Sequence, residues 1–383
     1  KEICTLIYYP REVMNRKRNL NELSEDWYRL MLNYLLEIAK TVSSKYTRSK
    51  VRKALPKEFG DIIDELLHDN QIRYHRQILD TIIGIENSEE FIVALAELIK
   101  HLAVDHLHIV GDIFDRGGDA DKIMDLLMEY HSLDIEWGNH DILWMGAACG
   151  NEASIATVVK NNIKYNNIQI LESGYGISLR SLVLFAEQVY PHMDVMKAAQ
   201  KALSVMLFKL EGQIIRRHPE YKMEDRLLLD KIDYETKTVV SENVTYSLED
   251  TDFPTVDPEH PYELTEGEKQ VIQDLKFSFL NSHRLQKQID FLFEKGCMYK
   301  KFNDNLLYHG CIPLDEQGNF DGIEIDGNIY MGKAYLDYAE RIVRDVRKGE
   351  AGEQELDFMW YLWAGKKSPL CGRNIKTFER TFI

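Results

Sequence analysis

Through the first hundred residues, apolar side chains recur three and four apart. One set is Trp27, Leu30, Met31, Tyr34, Leu35 and Ile38; another is Phe91, Leu95, Leu98, Ile99 and Leu102. Between them lie Ile62, Ile63, Leu66 and Leu67, then Ile78, Leu79, Ile82 and Ile83. This is the period of helices with one buried face, and it predicts helix through 20–100, with core packing as the stripes' whole purpose. The period changes at 104. Val104 to Val110 has strand character and runs into Gly111-Asp112. Asp119 to Tyr130 returns to helix, with Ile123, Leu126, Leu127 and Tyr130 on one face and Asp119 at the N-cap. Leu133 to Trp137 is a second short strand ending at Gly138. Together these make a β-α-β unit, and α/β proteins place their ligands at the C-terminal ends of such strands. Further on, Met196, Leu203, Met206, Leu207, Leu210, Ile214 and Ile215 predict helix within 195–230. An irregular crossing follows over 250–263, then helix over 266–295. Hairpins are predicted for 298–309, around Asn303-Asp304-Asn305, and for 322–332, around Asp326-Gly327. Residues 334–364 read as mostly helical.

With 383 residues, the chain exceeds one typical domain, so large insertions or a second domain are expected. A net charge of −16 argues against a nucleic-acid partner, whose phosphates need a basic surface. It does not exclude a small anionic substrate, because a metal cluster and a few Arg or Lys side chains override a distant acidic surface. Cys4, Cys149, Cys297, Cys311 and Cys371 stand at neither zinc-finger nor redox spacing, which suits free thiols and a cytoplasmic location. No apolar run reaches membrane-spanning length, and no membrane partner is expected. The opening Lys1-Glu2-Ile3-Cys4-Thr5 reads like mid-domain sequence, so a longer parent protein is expected.

Three segments carry chemistry: Gly111-Asp112-Ile113-Phe114-Asp115-Arg116-Gly117-Gly118, Gly138-Asn139-His140-Asp141 and Tyr308-His309-Gly310. Each follows a strand-like run, so each projects its polar side chains from a strand end. Carboxylate, amide oxygen and imidazole together suit Mn, Fe, Zn or Mg. One Asp can bridge two such ions, and a pair of ions lowers the pKa of bound water toward about 7. An Arg beside them grips phosphate with its planar fork, and a second His, steadied by an Asp, protonates a leaving oxygen. Alone, the first segment also reads as a strand-to-helix turn with an N-cap Asp and turn glycines, the second as a polar turn and His309 as a core histidine; their combination and order carry the argument.

GDxxDRG, then GNHD, then a strand-end HG resembles the calcineurin-like metallophosphatases. The resemblance implies that Asp112 bridges the metals and that Asn139 and His309 complete the second metal site. It makes His140 the general acid steadied by Asp115, and Arg116 the phosphate ligand. Asp119 and Asp141 receive no role. Almost the whole chain is similar to the third class of fructose-1,6-bisphosphatase, a bacterial family. The passages that carry this are 105–112, Gly174 to Arg180, Phe253 to Pro258, Tyr308-His309-Gly310-Cys311-Ile312-Pro313 and Thr377-Phe378-Glu379-Arg380. This second resemblance implies hydrolysis of fructose 1,6-bisphosphate at its 1-phosphate, in gluconeogenesis, with two Mn2+ ions. It leaves open a homo-oligomer.

The fold so implied is α/β: a metallophosphatase double β-sheet sandwich flanked by helices, with large helical insertions. Residues 1–100 would be a helical insertion and 101–180 the core with the metal motifs. Residues 181–295 would be a second helical insertion, 296–333 a return to the core sheet with the metal-ligand histidine, and 334–383 a C-terminal helical segment that contacts substrate. Lys366, Lys367 and Arg373 follow an aromatic helix and are candidates for gripping the second phosphate, with Arg180 as a further one; a solvated basic turn is the alternative. Two family motifs are absent, an Asp-x-His before Asp112 and a Gly-His after His309. Either the chain is a piece of the whole or it has lost one metal. A phosphoprotein or dinucleoside-polyphosphate phosphatase shares the core motifs, and a metal-depleted scaffold is the reading from another class.

Overall fold

A computed structural model describes residues 2–68 and 72–383; Lys1 and residues 69–71, the latter within the stretch expected to be helical, lie outside the described residues. The chain divides into two compact units, Lys1–Leu107 and His108–Ile383.

The first unit is helical among its described residues. Its longer helices are Glu25–Ser43, Ile72–Gly84 and Ser88–Ala103. Ser24 starts the first of these, its Oγ accepting the Trp27 N–H at 3.2 Å. Met31, Leu32, Leu35 and Leu36 from this helix and Phe91, Leu95, Leu98 and Ile99 from the last meet in one buried cluster, so the packed face is turned from the expected stripe: Met31 and Leu35 lie on it, whereas Leu30 and Tyr34 are exposed.

The second unit mixes helix with small sheets. Its central sheet runs Leu107–Ile109, then Leu133–Glu136, then Gly296–Cys297, with Ile135 beside Gly296 in parallel pairing. The helix Ala120–Met128 connects the first two strands. Asp119 does sit at its N-cap position, but with φ +65° and no cap hydrogen bond; its carboxylate pairs instead with Lys122 at 2.5 Å. Behind the sheet, the helix Asn139–Ala148 buries Ile142, Leu143, Trp144 and Met145 on every face. An all-round apolar helix has to be enclosed, and the helices Glu152–Lys164 and Glu353–Ala364 enclose it.

Both expected hairpins form, Tyr299–Phe302 with Asn305–Tyr308 and Gly322–Ile325 with Asn328–Met331. A three-stranded antiparallel sheet, Ile232–Asp233, Thr238–Ser241 and Val244–Ser247, stands in a stretch read as helical insertion. Its β-branched run Thr238-Val239-Val240 and the positive φ of Glu242 and Asn243, +50° and +62°, make a tight hairpin that helical periodicity does not reveal. Against this sheet packs the segment 373–383. Phe378 and Phe382 are buried beside Phe208 and Phe253, and Glu379 accepts two hydrogen bonds from Arg226 at 2.6 and 2.7 Å.

Two buried ionic centres tie the helices of this unit. Lys209 on the helix Val195–Arg217 donates to Glu268 Oε2 at 2.7 Å and to the Thr255 carbonyl at 2.6 Å, and both side chains are at most 1% exposed. Glu268 Oε2 also accepts the Thr265 N–H at 2.8 Å, closing the capping box that starts the helix Glu266–Asn281. Elsewhere, Asp357 takes Arg217 at 2.7 Å and His218 Nε2 at 3.2 Å, while His218 Nδ1 reaches Glu220 at 2.7 Å. Burial works against the charged imidazole, but Asp357 and Glu220 outweigh it and raise its pKa above 6.5. A raised histidine contributes its full stability below the unfolded value and loses it as pH rises through the folded one. The Tm gap between wild type and His218→Phe, which keeps a ring on Tyr221, is therefore expected to be widest near pH 6 and to shrink toward pH 9. A gap that grew with pH would contradict the assignment.

Candidate active site

Asp112 follows the first strand of the central sheet, Asn139 and His140 follow the second, and His309 follows the strand Asn305–Tyr308. The backbone turns sharply to bring them together: Gly111 has φ +85° and Asp112 φ +57°, both left-handed. At Gly111 a Cβ would fall 2.5 Å from the Gly138 nitrogen and 2.7 Å from His309 Nδ1, so this position takes glycine for space as well as for conformation.

Asp141 holds the turn. It is fully buried, and its Oδ2 accepts the N–H groups of Asp112 at 2.7 Å and Gly138 at 2.9 Å, while Oδ1 accepts that of Phe114 at 3.3 Å. Burial pushes its carboxyl up to about 6, against the pull of these donors. One side chain thus fastens the two motif loops to each other and caps the helix Asn139–Ala148.

The polar groups converge on Asp112. Its Oδ1 accepts the His140 N–H at 3.0 Å, and its Oδ2 faces His309 Nε2 at 3.4 Å. His309 Nδ1 donates to the Val110 carbonyl at 2.7 Å, which aims Nε2 at the carboxylate. Burial raises the Asp112 carboxyl, but His309 and the His140 N–H outweigh it and bring it below the usual range, while Asp112 lifts His309 to about 9. His140 Nε2 meets Asp115 Oδ1 at 3.0 Å and its ring stands edge-on to Trp363 at 4.9 Å; burial lowers its pKa against the opposing pull of Asp112 and Asp115. Arg116 lies 3.4 Å from Asp115 and stacks over Tyr165.

The donor set fits a divalent cation. Ligand atoms of Asp112, Asp115 and His140 lie within 4.8 Å of one another. The separation of Asp112 from His309 suits two neighbouring ligands of one ion, each about 2.0–2.2 Å from it. A backbone carbonyl on the far ring nitrogen is the usual second contact of a metal-ligating histidine. Asn139 begins the helix that carries His140 and lines the adjoining cleft. A Cβ at Gly138 would collide with Asp112 Oδ1. Gly138→Ala is therefore expected to weaken divalent-cation binding about 10- to 100-fold, read by calorimetry. Unchanged affinity would remove Asp112 from the cation site.

Next to this cluster, and continuous with it, is a cleft lined by Arg116, Asn139 and His140 and further by Lys160, Lys164, Arg373, Lys376, Arg380 and Thr381. Arg373 is the one candidate for gripping the second phosphate that lines it. Lys366, Lys367 and Arg180 are not among the lining residues, and Lys367 is paired with Asp321 at 2.7 Å. Lys160 and Lys164 stand inside a helix with no motif around them, and Arg380, although it ends the passage Thr377-Phe378-Glu379-Arg380 that carries the family resemblance, is given no role by that passage. Asp141 likewise has no role legible in the sequence, although it sits inside a motif, because its task is to accept hydrogen bonds from loops that only the fold brings near.

The chain matches the family model for Firmicute fructose-1,6-bisphosphatase over residues 1–383. It is 49% identical to a protein of Clostridium beijerinckii, 46% to one of Clostridium novyi and 46% to one of Alkaliphilus metalliredigens, each named fructose-1,6-bisphosphatase class 3. All of this chain is covered in each case, and 62% of the relative, so the chain spans about three fifths of the length of these relatives. No solved structure matches it.

Proposed function

The chain belongs to the Firmicute fructose-1,6-bisphosphatase family, and on that premise we propose that the protein containing it hydrolyses fructose 1,6-bisphosphate to fructose 6-phosphate and phosphate, as a cytoplasmic enzyme of gluconeogenesis. The observation that carries the reading is the meeting of Asp112, His140 and His309 at the mouth of a cleft lined by cations. Asp112, Asn139 and His309 would hold divalent metal, with Mn2+ as the proposed ion. Bound metal would supply a water of lowered pKa and positive charge against the phosphate. Arg116 would grip the phosphate oxygens, turning its guanidinium from Asp115 to the substrate. His140 would keep a proton on Nε2 through Asp115 and release it to the leaving sugar oxygen. Trp363 and Tyr165 wall this corner and limit water. For the whole protein we propose the double-sheet metallophosphatase sandwich, of which the three-stranded central sheet would be part.

The test is an assay of the full-length protein with Mn2+. Release of one phosphate per fructose 1,6-bisphosphate, abolished by chelation and restored by metal, is expected. No release from the sugar bisphosphate, or faster release from phosphopeptides, would replace this reading with another.

A further inference from the structure

A chain of net charge −16 lines one cleft with six cations and no Asp or Glu: Arg116, Lys160, Lys164, Arg373, Lys376 and Arg380. Such a reversal of sign concentrates the field where an anion is to sit. The six are not equivalent. Lys376 is paired with Glu242 at 3.0 Å, Arg116 lies beside Asp115 in the reaction centre, and exposed Lys164 lies over the Tyr165 ring. Lys160, Arg373 and Arg380 have no carboxylate partner among the described residues.

Lys160 is the most telling. It is 5% exposed, yet among the described residues its ammonium reaches only Thr381 Oγ1, at 3.4 Å, and the face of Phe208 at 5.4 Å. A buried ammonium without an anion is costly. Glu211 is near enough to act on it electrostatically, but no hydrogen bond joins the two, and burial pushes the Glu211 carboxyl itself up to about 7. Burial likewise pulls Lys160 down to about 8. The two arginines are held over the cleft by a segment that Phe378, Phe382 and the Arg226–Glu379 pair anchor to the protein. A lysine sunk into the floor and two forked guanidiniums at the rim make a receptor for a second dianion beside the reacting one.

We propose that Lys160, Arg373 and Arg380 bind the phosphate of the sugar bisphosphate that is not cleaved, and so set the preference for bisphosphates over monophosphates. This rests on the hydrolase reading above. Thr381 holds the Lys160 ammonium toward the cleft, and the Arg373 and Arg380 forks close on the phosphate from the exposed side.

The experiment compares kcat and KM of the full-length Mn2+ enzyme on fructose 1,6-bisphosphate and on fructose 1-phosphate, for wild type, Lys160→Gln, Arg380→Gln and Arg373→Gln/Arg380→Gln. Loss of a charge-assisted contact is expected to raise KM for the bisphosphate about tenfold for each residue, with kcat within about twofold. On fructose 1-phosphate, kcat/KM should stay within about twofold of wild type. The exposed arginines carry the test if Lys160→Gln does not fold. Equal losses on both substrates, or an unchanged KM for the bisphosphate, would overturn the subsite while leaving the hydrolase reading intact. A wild type that releases phosphate from neither sugar would sink both.

Discussion

Asp141→Ala is expected to lower the stability of the second unit by about 3 kcal/mol or more, because three backbone N–H groups lose their acceptor and each buried unpaired donor costs about 1–3 kcal/mol. In a unit of this size that is a Tm decrease of roughly 6–12 °C, measured by calorimetry at pH 7.5. Turnover should fall with it, since the turn that presents Asp112 and the start of the helix Asn139–Ala148 are fastened by the same carboxylate. Asp141→Asn separates geometry from charge. Its single oxygen can still serve Asp112 and Gly138, while its NH2 opposes the Phe114 N–H, so a loss of about half that size is expected. A Tm equal to wild type in the alanine variant would show that the loops hold their positions without this side chain.

Asp112→Gly should behave in the opposite way. Its carboxylate is the one to which His309 Nε2 and the His140 N–H both point, so its removal is expected to reduce kcat on fructose 1,6-bisphosphate by about 10²- to 10³-fold, the scale seen when one preorganised polar group leaves an active site. The fold should not suffer. A non-glycine residue at φ +57° is strained by about 1–3 kcal/mol, glycine relieves this, and the lost hydrogen bond to His140 costs about 1 kcal/mol. Tm is thus expected to stay level or rise. Inactivity with an intact or improved fold identifies a residue kept for chemistry at the expense of stability. Turnover within tenfold of wild type would remove Asp112 from the centre of the mechanism.

The contrast between these two aspartates shows what the sequence makes legible. That Asp112, His140 and His309 come together is legible because each sits in a short motif after a strand-like run, and the motif names both the residue type and its place at a strand end. The long helices are legible from spacing, as Met31, Leu35, Leu95 and Leu98 illustrate, but the exact buried face is not, since Leu30 and Tyr34 share that spacing and are exposed. Asp141 was visible as a letter in a motif but not as a fastener, because Asp112 and Phe114 come within reach of it only once the two strands lie side by side. The basic cleft was less legible still. Lys160 lies in the middle of a helix with no local pattern to mark it, and Arg380, some 220 positions later, sits in a passage that marks the family but not a phosphate ligand. The sheet over 232–247 is not legible, although strands as short are legible elsewhere, because its turn at Glu242-Asn243 lacks the Asn-Asp-Asn and Asp-Gly signals that mark the hairpins at 303–305 and 326–327.

The Lys209–Glu268 contact has a consequence for how this protein can vary. One carboxylate neutralises a lysine on one helix and begins another, and the lysine also secures the loop at Thr255. Replacing either partner by itself strands the other's charge in the interior, at a cost of about 3–5 kcal/mol. A lineage can therefore leave this state only by exchanging both residues together, or by first gaining stability elsewhere. Homologues should carry either the complete pair or an apolar pair of similar volume, with single-site intermediates rare.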